Sequence, residues 1–397
     1  MATMVSLVSE QTVPNILAIW HFQPEKLLFV STEKMERGQK VRDILATVNC
    51  RLKKSYKIGE NAESIIVLED SLFQCLRKLE EWIQGKEDED FIVNLTGGTK
   101  LMSIAVFECF KNYESKMIYI PINKNEYISP FPIRTPKPPT PFEGRLSVEE
   151  YMCAYGLEVV NVDKVERCKK SALERKDISL WIVDHYKDIK DVLAFLGNEL
   201  REAREKKLDK FQFKKEYFGR HVLEEEFLLR IGFHRDHRYY AKYLSKDEIS
   251  YLTGGWLEEY CFNAVYGLCG KLADDVAVNI QIRNPQGRDN EFDVMFTSRN
   301  ALYFIECKSM EQKHLGEKKS EGFDSFLYKI GALQKEFGLR VESYLVTNSS
   351  VIVHAQTGEI KKALCERAEQ FKTQIVGPDD VIRFPDILKS RLEKASS

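Results

Sequence analysis

Glu291-Phe292-Asp293-Val294-Met295-Phe296, followed closely by Ala301-Leu302-Tyr303-Phe304-Ile305-Glu306-Cys307-Lys308, sets the reading of this chain. Two apolar runs joined by the turn at 297–300 predict a β-hairpin. On the second run Glu306 and Lys308 lie two apart, so they project from one face of a strand. Asp293 arrives beside them if the hairpin register brings the strands alongside. Two carboxylates and an ammonium then converge, which suits metal-assisted phosphodiester hydrolysis. Asp293 and Glu306 supply hard oxygen ligands for Mg²⁺ or Mn²⁺, and the backbone carbonyl of Cys307 adds another. Lys308 orients or deprotonates an attacking water and offsets charge in the transition state. The same spacing also occurs on solvated faces with ion pairs. Here, however, the charges end a strongly apolar strand, where they are costly unless paired or used.

Outward from the hairpin, the sequence reads as an α/β unit with its own core. Trp256–Leu268 is an amphipathic helix opened by Thr253-Gly254-Gly255, and Val276–Ile282 is strand-like. After the hairpin come a polar loop, a helix from about Phe323 to Phe337 and a strand at Tyr344–Thr347. On the first helix, Leu257, Tyr260, Cys261, Ala264, Val265 and Leu268 form the apolar face. At about 100° per residue Glu258 flanks that face and Glu259 points nearly away from it. Glu258 is therefore the better candidate for a further site carboxylate, and two solvated glutamates favoured by the helix dipole are the alternative.

The first third alternates strand and helix patterns, which predicts a parallel sheet with helices on its faces. Ile16–Trp20, Lys26–Val30, Ser64–Leu68, Phe91–Leu95 and Lys116–Ile122 read as strands, and Gln39–Val48, Leu72–Ile83 and Lys100–Phe110 as helices. Between one strand and helix stands Asn94-Leu95-Thr96-Gly97-Gly98-Thr99-Lys100-Leu101-Met102. Its glycines allow close backbone approach, the helix start offers free N–H groups, and Thr96, Thr99 and Lys100 add hydroxyls and a cation. It is built either to bind an anion or as a tight turn capped by threonine. It is neither a Walker A loop nor a G-x-G-x-x-G fingerprint, which argues against an ATPase or a dehydrogenase.

Residues 130–141 hold six prolines in twelve positions and read as a boundary or stiff linker. Residues 145 to about 230 are mostly helical in pattern, with a very polar Leu193–Phe218 that suits a solvated connecting helix. The division expected is 1–140, 141–245 and 246–397. Phe233–Tyr243 interleaves His234, Arg235, His237, Arg238 and Lys242 with tyrosines. It reads first as a solvated helix or turn packing its tyrosines inward, and second as a surface that stacks on single-stranded bases. Lys313, Lys318 and Lys319 follow the hairpin but alternate with Glu311, Glu317 and Glu321, so a backbone contact and a plain solvated loop are equally open.

At 397 residues the chain is long enough for two or three domains. Its 59 Lys and Arg nearly balance 61 Asp and Glu, which excludes a general polycationic coat for nucleic acid and leaves only a local patch. Nine cysteines without a C-x-x-C pair suit reduced thiols in a cytoplasm, and the close histidine pair His234/His237 has no cysteine near it to suggest zinc. No apolar run is long enough to span a membrane and no secretory signal is visible.

Glu258, Asp293, Glu306 and Lys308 match, in order and context, the restriction-endonuclease-like PD-(D/E)xK nucleases, as does the order helix–strand–strand–helix–strand. Phe292 stands where many members have proline. The resemblance implies a site-lining role for Gln334 on the helix after the hairpin. The motif from Asn94 to Met102 closely resembles the Rossmann-like CARF sensor domains of type III CRISPR systems. That resemblance implies a homodimer that binds cyclic oligoadenylate in a shared pocket, lined by Asn94, Thr96, Gly97, Gly98, Thr99, Lys100 and Met102. It adds His21, Phe22 and Gln23, read as the loop after the first strand. Leu146-Ser147-Val148-Glu149-Glu150-Tyr151 also looks like the family that joins the two halves. The whole resembles the cyclic-oligoadenylate-activated CRISPR ancillary nucleases, which implies cyclic tetra-adenylate as activator and RNA, DNA or both as substrate, with cutting of single strands or nicking of DNA favoured. A nucleotide-sensing regulator that binds nucleic acid without cutting it is the rival reading.

Overall fold

The computed structural model describes residues 2–122, 124–131, 137–309, 321–334 and 336–394. Its first sheet comprises β1 (Ala2–Leu7), β2 (Lys26–Ser31), β3 (Ala62–Ile66), β4 (Asp90–Asn94), β5 (Ser115–Tyr119), β6 (Glu126–Phe131) and β7 (Thr140–Pro141). The spatial order is β3-β2-β1-β4-β5-β6-β7. The first five strands are parallel, and β6 and β7 extend the edge antiparallel. Helices α1 (Val13–Phe22), α2 (Glu33–Arg37), α3 (Lys40–Arg51), α4 (Leu72–Ile83) and α5 (Lys100–Phe110) form the crossovers. Connectivity reverses direction between β1 and β4. The loops leaving those two strands therefore flank the crevice where open α/β sheets take ligands.

Two expectations fail here. Ile16–Trp20 belongs to α1, not to a strand. Asn15 through Trp20 are all buried, so no polar face marks the helical period. The first strand is Ala2–Leu7. Nor does the stretch at 130–141 leave the sheet as a separate stiff linker: its described ends lie in β6 and β7, which pair antiparallel at the edge of the first sheet, while residues 132–136 lie outside the described residues. Proline fits such an edge, where no N–H is needed.

Beyond Phe142 the chain enters α6 (Val148–Ala154), opened by a reciprocal cap between Ser147 and Glu150. The strand β8 (Glu158–Val159) and helices α7 (Val162–Glu174), α8 (Lys176–Asp184), α9 (Tyr186–Glu199) and α10 (Arg201–Glu205) follow. A second sheet of β9 (Lys210–Glu216), β10 (His234–Asp236) and β11 (Tyr239–Ser245), ordered β10-β11-β9, is interrupted by α11 (Val222–Arg230). The segment Leu193–Phe218 is thus not a solvated helix. Leu193, Leu196, Leu200, Ala203 and Phe213 are buried in a core shared with the C-terminal half.

That half runs α12 (Lys246–Ser250), a π-helical turn at Tyr251–Gly255, and α13 (Trp256–Tyr266). It continues through β12 (Asp275–Arg283), β13 (Asp289–Ser298), β14 (Ala301–Lys308), α14 (Glu321–Gln334), β15 (Val341–Thr347), α15 (Lys362–Gln370), β16 (Thr373–Val376) and α16 (Phe384–Lys394). The sheet order is β16-β15-β14-β13-β12-β8. Strands β12, β13 and β14 are antiparallel, whereas β15 and β16 add on in parallel. Three strands rather than two therefore stand between the helices of the expected core order.

The first and third sheets are not joined by a loose linker. One buried cluster runs from Ile16, Trp20 and Ile44 through Tyr151 and Met152 to Phe292, Phe304 and Phe337. The Tyr151 hydroxyl donates to the Phe337 carbonyl at 2.9 Å.

Glu259 departs from expectation too. It is buried rather than solvated, and Arg175 at the end of α7 donates to it from Nε at 3.0 Å and also from Nη2. Burial pushes the Glu259 carboxyl up, and Arg175 opposes that shift. Arg175→Met strands this carboxylate and should cost about 3–5 kcal/mol, the range for removing one partner of a buried pair. The double variant Arg175→Met/Glu259→Leu should recover most of the loss. Urea unfolding that finds the single variant as stable as the parent would remove the pair from the account.

Candidate active site and sensor loop

The β13–β14 hairpin turns at Arg299 and Asn300, with φ +51° and +59°. Two successive left-handed residues make the tight turn whose twist suits a two-residue hairpin. The register Val294↔Ile305 then sets Asp293 alongside Glu306 one step further on. Asp293 Oδ2 accepts from the Cys307 backbone N–H at 2.7 Å, and Lys308 Nζ donates to Glu306 Oε1 at 2.6 Å. Lys308 Nζ also stands 5.8 Å from the centre of the Phe326 ring on α14. The Cys307 side chain points the other way, into the core that holds Leu257 and Cys261. In an antiparallel pair a residue's N–H and C=O face the same neighbour. The Cys307 carbonyl thus looks toward the Asp293 side.

Glu258 enters from the first turn of α13. Burial pushes its carboxyl up, while a hydrogen bond from Asn279 and the charges of Arg204 and Lys308 pull it down. Asp293 lies well above the usual carboxylate range, first through burial and then through the like charges of Glu258 and Glu306. Burial draws the Lys308 ammonium down, but Glu306 and Asp293 more than offset it, so it is raised. Shifts of this kind at Glu258, Asp293 and Lys308, grouped at the end of a buried strand, mark a candidate functional site.

Two contributors escape the sequence patterns. Asn279 interrupts β12 with φ +54° and sits opposite Asp293, between the pairs Val278↔Val294 and Ile280↔Phe292. A left-handed asparagine inside a strand is strained, and strain of this kind gathers at functional sites. Its carbonyl is held by Asn161 Nδ2 at 2.8 Å. Arg204, on α10, donates to the Thr253 carbonyl at 2.8 Å and lends positive charge to Glu258. Beside it Gly254 has φ +137°, and a Cβ there would stand 2.7 Å from Ser309 Oγ. Only glycine lets that turn lie against the end of β14.

The oxygen-rich donor set suits a hard divalent cation. Among the described residues no three His, Cys, Asp or Glu side chains converge closely enough to hold one alone. Two carboxylates plus the Cys307 carbonyl are the set that fits, with Asp293 and Glu306 as the side-chain members. Gln334 is the last residue of α14, and its side chain lies outside the described residues, as do Lys313, Lys318, Lys319, Glu311 and Glu317.

In the first sheet, the loop after β4 is constructed from its own side chains. Asn94 Nδ2 donates to Asn15 Oδ1 at 2.9 Å, and Asn94 Oδ1 accepts from the Thr96 hydroxyl at 2.6 Å. Thr96 Oγ1 accepts from the Ile120 N–H at 2.9 Å, and Thr99 caps α5 through the Met102 N–H. Met102 is buried. A Cβ on Gly97 would lie 2.2 Å from the Leu7 carbonyl oxygen. Gly97 is thus small for the sake of β1 rather than of a ligand. Gly98, Thr99 and Lys100 face the crevice edge, and Gly98 and Lys100 are exposed.

His21, Phe22 and Gln23 are not brought to this place. They end α1, beside the start of β1 where Glu25 N–H meets the Ala2 carbonyl. A six-residue strand, about 20 Å, separates them from the loop. His21 packs instead against Tyr127 and Phe142, and Phe22 against Tyr127. The loop that does leave β1 is 8–12. In it Gln11 Oε1 accepts from the Leu339 N–H at 3.0 Å and the Tyr155 hydroxyl at 3.2 Å.

An open α/β sheet with a crevice at its switch point is thus tied to a second sheet that carries a carboxylate–lysine cluster. Residues 3–151 match the family Card1 CARF domain, and residues 245–395 match the Card1-like endonuclease domain. The chain belongs to the Card1-type CARF–endonuclease family. In overall fold it is similar to protein VC1899 from Vibrio cholerae, with a TM-score of 0.76 and 16% identity over 99% of this chain and 98% of that one. It is also similar to Can2 from Sulfobacillus thermosulfidooxidans, solved with cyclic tetra-adenylate, with a TM-score of 0.72 and 17% identity over 96% and 98%. No curated protein shows significant sequence similarity to the chain. Among the described residues no helix is long and apolar enough to cross a membrane.

Proposed function

We propose that this chain is a metal-dependent nuclease of type III CRISPR defence, switched on by a cyclic oligoadenylate, with cyclic tetra-adenylate as the preferred ring. The observation that carries the reading is Asp293 alongside the Glu306–Lys308 pair, with Glu258 near enough for its charge to act on Asp293. Asp293, Glu306 and the Cys307 carbonyl hold Mg²⁺ or Mn²⁺, which when bound supplies Lewis-acid stabilisation to the phosphodiester. Glu258 completes the acidic wall, fixed by Asn279. Lys308 orients the attacking water and offsets charge as the phosphate expands. Gln334 lines the approach from α14. The substrate is RNA, DNA or both.

The activator sits over the loops 8–12 and 95–100, its phosphates toward the α5 N-terminus. Asn94, Thr96, Gly97 and Met102 shape that loop from beneath, while Gly98, Thr99 and Lys100 meet the ligand. Phe73 (76% exposed), Ile104 (53%), Leu68, Leu72 and Leu101 form an apolar surface beside it. Thr99 Oγ1 ties the two parts of that surface together by donating to the Glu69 carbonyl at 2.7 Å. A second protomer covers this surface, so the functional unit is a homodimer with a shared pocket. Nine free thiols suit a cytoplasmic location.

Labelled RNA and DNA, each incubated with and without cyclic tri-, tetra- and hexa-adenylate in Mg²⁺ or Mn²⁺, test the proposal. Binding of nucleic acid with no cleavage under any condition favours the non-cleaving regulator instead. Lys100→Ala should weaken activator binding about tenfold in calorimetry while leaving the melting temperature unchanged. Gly97→Ala should lower the melting temperature, because its Cβ meets the Leu7 backbone. Equal affinity in Lys100→Ala would take the loop out of the pocket.

A further inference from the structure

We propose that the outer face of the β9–β11 sheet is a stacking track that delivers single-stranded nucleic acid to the carboxylate site. This rests on the nuclease reading above. Alternation sorts the sheet into two faces. Phe213, Tyr240 and Leu244 are buried in the core. Lys210, Gln212, Lys214, Tyr239 and Tyr243 point outward, and all five are exposed. The expected inward-packed helix or turn at Phe233–Tyr243 is thus a pair of strands that presents two of its tyrosines to solvent.

The register orders these groups into a ladder. Ser245 lies opposite Lys210, Tyr243 opposite Gln212, Ala241 opposite Lys214 and Tyr239 opposite Glu216. Tyr243 is 72% exposed and Tyr239 40%. Lys214 falls between them, its Nζ 5.7 Å from the Tyr239 ring centre. Four residues of strand separate the two rings by about 13 Å. Rings alternating with ammonium groups on an open face match a strand of nucleic acid, whose bases stack while its phosphates meet cations. Beyond Tyr239, Arg238 lies over the exposed ring of Phe218 at 5.4 Å and extends the same alternation.

The ladder also has a direction. Its Lys210–Ser245 end adjoins α10 and α12, where the Lys246 N–H donates to the Asp209 carbonyl at 3.1 Å. From α10, Arg204 reaches Thr253 and acts on Glu258. The carboxylates of this face, Glu216 and Asp236, both stand at the far rung, Tyr239. Glu216 accepts the Tyr239 hydroxyl there. On the face itself Lys210 and Lys214 are the charged groups nearer the site, with the acids Asp209, Asp247 and Glu248 on the adjoining loop and helix. A duplex hides its bases from such a face, whereas a single strand does not.

The test uses the full chain carrying Asp293→Asn, with cyclic tetra-adenylate present, and fluorescence anisotropy of 20-nucleotide single-stranded DNA, single-stranded RNA and a 20-base-pair duplex. Adding Tyr239→Ala/Tyr243→Ala should weaken single-strand binding at least tenfold and leave weak duplex binding unaltered. Loss with only one of the two single strands would identify the substrate sugar. Tyr243→Phe, which keeps the ring, should bind like the parent. Lys210→Ala/Lys214→Ala should weaken binding and flatten its salt dependence. Circular dichroism and activator affinity establish that each variant is folded. Parent-like single-strand affinity in the double tyrosine variant overturns the track alone, provided the unsubstituted chain cuts. Equal loss on duplex and single strand also overturns it, leaving a mere phosphate contact. An unsubstituted chain that neither binds nor cuts overturns the nuclease reading with it.

Discussion

Asp293→Asn is expected to abolish activator-dependent cleavage, by a thousandfold or more, while cyclic oligoadenylate still binds. A thousandfold corresponds to roughly 4 kcal/mol of transition-state stabilisation, a reasonable share for a carboxylate in the proposed role of metal ligand. The fold should tolerate the change well. Asn Oδ1 can keep the acceptor role toward the Cys307 N–H, and the substitution removes a carboxylate raised by burial and by its neighbours Glu258 and Glu306. The melting temperature should hold or rise, since like charges buried together store unfavourable energy for function. Glu306→Gln should show the same loss of turnover. It also breaks the ion pair with Lys308, so its stability gain should be smaller. Single-turnover rates and thermal melting measure both. Near-normal cleavage in either variant would remove the pair from the chemistry.

The readability of this site in the sequence follows its periodicity. Glu306 and Lys308 share a strand face by a spacing of two, and a hairpin brings Asp293 to them. Both inferences need only local geometry. Glu258 follows from the 100° helical step. Asn279 and Arg204 carry no such signal. Asn279 matters because a left-handed residue re-aims a strand, and Arg204 because packing folds α10 back against a turn some fifty residues later. Two of the misread parts share one cause. All-round burial of Asn15–Trp20 leaves a helix without a polar stripe, and displacing the first strand in turn placed His21, Phe22 and Gln23 at the wrong end of the sheet. The prolines at 130–141 were compatible with a linker or a sheet edge alike, and only strand pairing decides between them.

Asn300→Gly should uncouple the two halves. Asn300 is fully buried at the tip of the hairpin that carries Asp293 and Glu306. Its Oδ1 accepts from the Leu146 N–H at 2.7 Å, and its Nδ2 donates to the Gly144 carbonyl at 3.0 Å and to Asn125 Oδ1. Asn125 in turn clasps Phe142 through two bonds, Nδ2 to the Phe142 carbonyl at 2.8 Å and the Phe142 N–H to its own carbonyl at 2.9 Å. Asn125 lies at the edge of the first sheet, so one side chain links that sheet to the hairpin that carries Asp293 and Glu306. Glycine keeps the left-handed turn at no steric cost and deletes only the side-chain bonds. On the proposed reading, a coupling of about 1–3 kcal/mol passes between activator and nuclease. Loss of this clasp should cut the ratio of activated to unactivated cleavage at least fivefold while activator binding persists. Some stability is lost as well, since the Leu146 N–H and Gly144 carbonyl are left unpaired, at about 1–3 kcal/mol each. Measuring the ratio at a temperature where circular dichroism finds the variant folded separates the two effects. The Gln11 contacts with Leu339 and Tyr155 form a second connection between the halves. Gln11→Ala should therefore lower the ratio further in the double variant. An unchanged ratio in Asn300→Gly, with the fold intact, would show that activation reaches the hairpin by another path.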